Sequence, residues 1–373
     1  MKNRIVIAGF GETGLLVALN LNAKHPGKYD ITGVSAKPCI VSGQELGNRL
    51  TSPETWKENY LVDFSRYKTL SGIRRLHAEI LAIDVEQRVL EVREGEQQTA
   101  VPWDVLVIAS GVTNGFWRNA TFEPRQALES SIDERALQIK KAASIAVIGG
   151  GPSGASTASN IKEQYPEKDV SLFFSREHIL PGYHPRAVAN VEEQLRDQGV
   201  QLYAGRRAIP PEGFDYQAFT HEPIRWQGGQ PPVTADLVVW ATGQLEPNNA
   251  FIPPEMLNED GFVLADPHLR VPGFTHIFTV GDIAASDPNR SSARNAGFLT
   301  VAHNIHASLN GKPLKTYRAS RYRWGSILGL QNEGMRVFTP KGSSVRITPW
   351  WVERVLFPFF VRRLIYKGMA RSR

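Results

Sequence analysis

Ser144-Ile-Ala-Val-Ile-Gly-Gly-Gly-Pro-Ser-Gly154 repeats, later in the chain, the pattern of Arg4-Ile-Val-Ile-Ala-Gly-Phe-Gly-Glu-Thr-Gly14. In each, an apolar strand runs straight into Gly-x-Gly-x-x-Gly, and an apolar helical spacing follows. Leu15, Leu16, Ala18, Leu19 and Leu21 supply it after the first turn, and residues 155–165 after the second. At the first turn Gly9 permits the tight bend, Gly11 lets a pyrophosphate approach the backbone, and Gly14 allows close strand–helix contact. Gly149, Gly151 and Gly154 take the same places at the second. One such turn is a weak signal; two predict an α/β protein with two Rossmann-like dinucleotide-binding domains.

Three more stretches fall into order with these. Residues 104–111 and 236–243 each run from an apolar strand into Ala-Ser-Gly or Ala-Thr-Gly, ending at Gly111 and Gly243. His276-Ile-Phe-Thr-Val-Gly-Asp282 is a short buried-strand pattern that stops at Gly281-Asp282. It puts a carboxylate at the carboxyl end of a strand, where open α/β sheets bind ligands. From residue 293 to 305 the apolar spacing turns helical, so a helix starting near Ser292, with Ala293 and Ala296 in its first turn, would aim free N–H groups at the same crevice. Taken alone, Asp282 could equally cap the following loop. The five motifs in this order resemble the two-dinucleotide-binding flavoproteins of the glutathione-reductase-like superfamily. That resemblance implies FAD at Gly9, Gly11, Gly14, Gly111, Gly281, Asp282, Ala293 and Ala296. It implies NAD(P)H at Gly149, Gly151, Gly154 and Gly243.

Two strand ends depart from the pattern. The strand at residues 30–35 should close on an acid that holds the adenosine ribose, and the sequence offers Ser35, with Lys37 as a second candidate contact. The strand at residues 170–174 ends in Ser175-Arg176, where an acid would select NAD. An arginine there can pair with a 2′-phosphate, which favours NADPH or tolerance of both cofactors. A third departure is Ser156, where quinone and disulfide reductases of the superfamily commonly carry a glutamate. No catalytic residue is assigned, because hydride transfer needs stacking and orientation more than an acid.

Composition limits the alternatives. A chain of 373 residues accommodates two domains, and 42% hydrophobic with 21% charged residues is globular. The single cysteine, Cys39, excludes a disulfide framework and a dithiol redox centre, and it suits a packing role. His303 and His306 lie one turn apart with no cysteine or paired acid nearby, so no metal site is expected. Residues 312–373 carry fourteen Lys or Arg against Glu333 and Glu353, so the net charge of +6 is a property of the tail.

The phrase Asn-Ile-Lys-Glu-Gln-Tyr-Pro-Glu-Lys-Asp-Val-Ser-Leu at residues 160–172, the short length and the basic tail narrow the resemblance. The chain resembles the ferroptosis-suppressor branch of the apoptosis-inducing-factor-like flavoproteins, which are similar to type II NADH dehydrogenases. This implies an FAD-dependent oxidoreductase that passes a hydride from NAD(P)H to FAD and two electrons to a quinone. Trp350, Trp351, Phe357, Phe359, Phe360 and Leu364 alternate with Arg354, Arg362, Arg363 and Lys367. The longest uncharged run, residues 355–361, is far below the roughly 20 residues a spanning helix needs. Aromatics beside long cations suit the interface of an anionic membrane, although Arg354 intrudes on the apolar stripe and Pro358 should split the segment into two short helices. Docking of the tail on the body, or a homodimer contact, is the alternative. Nucleic acid is not an expected partner, because the tail carries too many large aliphatic side chains.

Residues 1–125 and 246–311 are thus read as the FAD-binding domain, 126–245 as the NAD(P)-binding domain, and 312–373 as an interface segment. The start, Met1-Lys2-Asn3-Arg4, leads directly into a strand, so a cytoplasmic protein peripherally attached to a membrane is expected. A soluble NADPH-dependent flavin oxidase or monooxygenase, or a non-catalytic nucleotide-binding protein, are the rival readings.

Overall fold

A computed structural model describes residues 2–243, 245–289 and 296–370. The chain opens with β1 (Arg4–Ala8), α1 (Glu12–Lys24) and β2 (Asp30–Ser35). Two short helices follow, α2 (Leu46–Thr51) and α3 (Pro53–Tyr60), then β3 (Arg74–His77). An antiparallel meander, β4 (Glu79–Asp84), β5 (Val89–Glu94) and β6 (Gln97–Pro102), leads into β7 (Val105–Ile108). Ile5, Val6, Ile7 and Ala8 are all buried, as a strand covered on both faces requires.

After α4 (Arg125–Lys141) the pattern restarts with β8 (Ser144–Ile148), α5 (Pro152–Gln164) and β9 (Asp169–Phe173). It continues through α6 (Pro185–Asp197), β10 (Gln201–Tyr203) and β11 (Leu237–Trp240). The chain then supplies β12 (Ile277–Thr279) and α7 (Gly297–Leu309). Two parallel sheets result, in the orders β12-β7-β1-β2-β3 and β10-β9-β8-β11. Each has its glycine-turn strand between neighbours reached in opposite directions. This is the switch point outside whose carboxyl end ligands bind.

Several boundaries differ from the sequence reading. The polar helical spacing of residues 130–142 predicts a helix from Ser130; α4 instead starts at Arg125, with Pro124 in an extended backbone at its N-cap. Helix α7 starts at Gly297, not near Ser292. Residues 325–347, unassigned from sequence, form a further antiparallel sheet of β13 (Gly325–Gln331), β14 (Gly334–Phe338) and β15 (Ser344–Ile347). It joins α5 through a polar seam, in which Asn160 Nδ2 donates to Leu328 O at 2.8 Å and Ser159 Oγ to Gln331 Oε1 at 3.0 Å.

The tail ends in α8 (Val352–Ile365), preceded by a turn at Pro349–Trp351. Pro358 does not break it. The helix is wound with bonds five residues apart, as from Tyr366 N to Val361 O at 3.0 Å. That wider turn leaves the register in which a proline ring meets the carbonyl four residues back. Val361 and Tyr366 belong to the same buried cluster as Ile5, Leu15 and Phe278, with Phe357, Ile365 and Met369 packed against it. Thr69 Oγ1 donates to Lys367 O at 2.7 Å, and Arg66 Nη2 to Ala370 O at 3.1 Å. One face of α8 is therefore docked. The other face exposes Phe359, Phe360 and Leu364, and the turn before it exposes Trp350 and Trp351. Among the described residues no helix is long and apolar enough to cross a membrane.

Candidate functional site

The two glycine turns have matching geometry. Gly9 (φ +98°) sits where a Cβ would come 2.5 Å from the Ala109 carbonyl and from Ser110 N, and Gly149 (φ +128°) where one would come 2.0 Å from Ala241 O. At Gly14 a Cβ would lie 2.2 Å from Gly9 O, and at Gly154 1.9 Å from Gly149 O. Gly11 and Gly151 meet nothing within 4 Å. In each turn two glycines are forced by close backbone approach, and the middle one faces open space. Gly11 and Gly151 are also the N-caps of helices α1 and α5, each thirteen residues long, and neither has a side-chain cap. The first-turn N–H groups of each helix are thus left for an anion. A dinucleotide pyrophosphate fits both cradles.

Both turns line one cavity of about 1440 Å³. Gly111 and Gly243, each near φ +71°, line it with open space where a Cβ would stand. Gly281 packs on α1, its Cβ position 3.2 Å from Thr13 Oγ1, and Asp282 beside it is ion-paired with Arg118. Nothing in the sequence marked Arg118. It reaches Asp282 from the loop after β7, which only the tertiary fold brings close. Ala296 is an exposed residue at the N-cap of α7; Ala293 and Ser292 lie outside the described residues.

At the end of β2, Ser35 Oγ accepts from Lys37 N at 3.1 Å. The Lys37 ammonium turns to Asn119 Oδ1 at 2.6 Å, Thr121 O at 2.8 Å and Glu123 Oε1. Its cation is held by a carboxylate that arrives from the segment before α4. Burial depresses the Lys37 pKa, opposed by Glu123. Cys39 is buried beside Trp56, Leu61 and Ile132, and burial pushes its thiol up to about 11, so it stays protonated and packs. His306 stacks on His25 and accepts or donates at Tyr29 Oη, 2.7 Å away.

At the end of β9, Ser175 and Arg176 line the cavity, and Arg176 is exposed, its side chain making no hydrogen bond or ion pair among the described residues. Arg206 and Arg207, which sequence reading did not single out, join it after β10. Arg206 stacks over Trp226, and its Nη1 has no hydrogen-bond partner among the described residues. An anion would satisfy it.

Ser156 is buried, with its Oγ 3.4 Å from Leu328 O. A Cβ on Gly47 of α2 would come 2.5 Å from Ser156 O and 2.8 Å from Ser156 Oγ. With α2 and β13 pressed on it, this position has room only for a small side chain, which accounts for the missing glutamate. Deeper in the same wall, Arg49 donates to Trp117 O at 3.1 Å and lies over the Trp56 ring. Burial lowers it to about 10. Leu356, Phe357, Val361, Ile365 and Tyr366 of the tail close the cavity on its other side, and Tyr366 Oη donates to Glu12 of the first glycine turn at 2.5 Å.

Residues 3–304 match the family described as Pyridine nucleotide-disulphide oxidoreductase. The chain is 24% identical over 353 residues to Ferroptosis suppressor protein 1 of Xenopus tropicalis, spanning 90% of this chain and 88% of that one. With the Mus musculus protein of the same name it is 26% identical over 351 residues, spanning 89% and 87%. Among solved structures, a ferredoxin reductase from Rhodopseudomonas palustris superposes with a TM-score of 0.66 at 20% identity, covering 90% of this chain and 82% of that one. That likeness shows the fold.

Proposed function

The chain belongs to the pyridine nucleotide-disulphide oxidoreductase family and is an FAD-dependent, NAD(P)H-using oxidoreductase, and from that premise we propose that its acceptor is a quinone met at a membrane surface. The observation that carries this reading is that one cavity touches both glycine turns and the inner face of the tail helix. Residues 1–125 and 246–311 would hold FAD, with its pyrophosphate at Gly11 and the N-terminus of α1 and its ribitol near Gly281 and Asp282. Residues 126–245 would hold NAD(P)H, with its pyrophosphate at Gly151 and its ribose end toward Arg176, Arg206 and Arg207. FAD bound there supplies two-electron chemistry, accepting a hydride from reduced nicotinamide. The side chains of this protein bind and orient; the apolar inner face of α8, through Phe357, Val361 and Ile365, keeps water from the acceptor side.

The outer face of the same helix gives the acceptor its source. Trp350, Trp351, Phe359, Phe360 and Leu364 are exposed together, and Arg354, Arg363 and Lys367 share the segment. Aromatic rings at headgroup depth with snorkelling cations fit an anionic lipid surface. Formation of one hydroquinone per NAD(P)H oxidised, without oxygen uptake, tests the reaction. Oxygen uptake coupled to a hydroxylated product would replace it with a monooxygenase.

Two substitutions test the assignment of the sites. Arg176→Ala is expected to raise the KM for NADPH by about 10- to 100-fold and that for NADH little, because a charge-assisted contact contributes about 1.5–3 kcal/mol. Equal effects on both would remove Arg176 from cofactor selection. Asp282→Ala takes away the proposed ribitol partner and strands Arg118, a loss of about 1–3 kcal/mol. The purified variant is expected to carry several-fold less FAD than the parent, and full FAD content would move the ribitol elsewhere.

A further inference from the structure

Quinone reduction by NAD(P)H needs an acid. In NAD(P)H + H⁺ + quinone → NAD(P)⁺ + hydroquinone, the hydride brings two electrons and one proton, and the second proton must come from another group. General acids placed for such a transfer contribute about 10²- to 10⁴-fold.

We propose that the Glu45 carboxyl, at the entry to α2 in the cavity wall, donates this proton to the acceptor's carbonyl oxygen. The inference rests on the quinone reading above. In the step, the Glu45 O–H bond breaks, an O–H bond forms on the acceptor, and the resulting carboxylate recovers a proton from solvent.

Four carboxyl side chains line the cavity: Glu12, Glu45, Glu79 and Asp282. Three are committed. Glu79 is paired with Arg93, Asp282 with Arg118, and Glu12 accepts from Gln44 Nε2 at 2.8 Å and from Tyr366. Glu45 is in no ion pair among the described residues. Its Oε2 accepts from Leu330 N at 3.1 Å and Asn48 Nδ2 at 3.1 Å, while Oε1 accepts from no described residue. Burial raises the Glu45 pKa, and those two donors only partly oppose it. The acid form therefore persists to higher pH than in an ordinary glutamate.

The surrounding backbone is shaped to this carboxyl. Glu45 itself is held at φ +52°, a left-handed conformation that costs a non-glycine residue energy and persists only where neighbours impose it. Gly329, at φ +85°, leaves the space in which its own Cβ would lie 1.9 Å from Glu45 Oε2. Two residues earlier, the Cβ position of Gly43 is 3.2 Å from Arg118 Nη2. Two residues later, Gly47 lies on Ser156. Glu45 thus stands in the wall between the Arg118–Asp282 pair and the serine that cannot act as an acid. Of the charged groups on the elements packed against α2, the following have partners of their own. On α3 Glu54 pairs with Lys57, and Lys57 also with Asp133 of α4. Also on α4, Glu129 pairs with Arg125, and Arg135 donates to Gln217 O. Glu163 of α5 accepts from Asn332 N, and Arg49 of α2 itself donates to Trp117 O.

The test separates proton delivery from electron delivery. Holoprotein bleached with NADPH under argon is mixed rapidly with a short-chain quinone or with ferricyanide, which takes electrons without a proton. Glu45→Gln keeps the shape and the Leu330 contact. It is expected to bleach normally, to be reoxidised by quinone about 10²-fold or more slowly, and to be reoxidised by ferricyanide at the parent rate, with Glu45→Asp partly restoring the quinone rate. In the parent protein, D₂O should slow the quinone step and not the ferricyanide step. Infrared difference spectra across a pH titration, with or without FAD bound, should contain a protonated-carboxyl C=O band that Glu45→Gln lacks. Quinone reoxidation of Glu45→Gln at the parent rate, equal slowing with both oxidants, no isotope effect in the parent, or an unchanged carboxyl band would each overturn the role of Glu45. A parent protein that quinone does not reoxidise at all would overturn the quinone reading and this inference together.

Discussion

Gly11→Val is expected to give a folded, colourless protein, and Gly151→Val a yellow one that NAD(P)H no longer bleaches. The expectation comes from the contrast within each turn. A Cβ at Gly9, Gly14, Gly149 or Gly154 would collide with backbone, so substitution there would disturb the fold itself. At Gly11 and Gly151 a Cβ meets no protein atom within 4 Å, and the backbone angles, φ −75° and −77°, are open to any residue. The space a valine would fill is the space proposed for a pyrophosphate. Overpacking a well-fitted gap costs about 1–3 kcal/mol, and loss of the backbone N–H contacts adds to it, so affinity for the affected cofactor should fall by ~100-fold or more. Melting temperature without cofactor should hardly move. Flavin retained by Gly11→Val, or lost from Gly151→Val instead, would reverse the assignment of the two sites.

A larger rearrangement of behaviour is expected from the tail. Trp350, Trp351, Phe359 and Phe360 replaced together by Ser should free the protein from anionic vesicles and cut activity with a long-chain quinone at least tenfold, leaving a short-chain analogue almost unaffected. Burying a large apolar side chain contributes about 1.5–3 kcal/mol when complete, so even half-immersed rings sum to several. Each Lys or Arg near an anionic surface adds about 1 kcal/mol, so raising salt should weaken the parent's binding and leave an apolar remainder. Deletion of the tail is the wrong probe, because Val361 and Tyr366 belong to the body's core and their loss would destabilise the fold. Parent protein that fails to sediment with anionic vesicles at low salt, or a quadruple variant equally impaired with both quinones, would assign the exposed rings to a protein contact.

How much of this was legible in the chain depends on how local each feature is. The glycine turns, the strand ends at Gly111 and Gly243, and Gly281-Asp282 are contiguous signals, so the two parallel sheets could be read directly. The absence of an acid at Ser156 was equally plain, but its cause was not. It lies in Gly47 and Leu328, far away in sequence and packed on that serine. Arg118, Arg206 and Glu45 belong to no motif and reach the cavity only through tertiary packing. The tail was misread by its period. A helical wheel with 3.6 residues per turn puts Trp350, Phe357, Val361 and Leu364 on one stripe, whereas the wider winding buries Val361 and leaves Trp350 and Leu364 exposed.

The central claim, that one cavity joins NAD(P)H oxidation to quinone reduction, is tested most directly by an anaerobic visible-spectrum titration of the purified protein. Flavin absorbance that one equivalent of NADPH bleaches under argon, and that one equivalent of a short-chain quinone then restores, is the predicted result. A colourless protein that still binds NADPH, or bleached flavin that quinone leaves unchanged and oxygen restores, would contradict it.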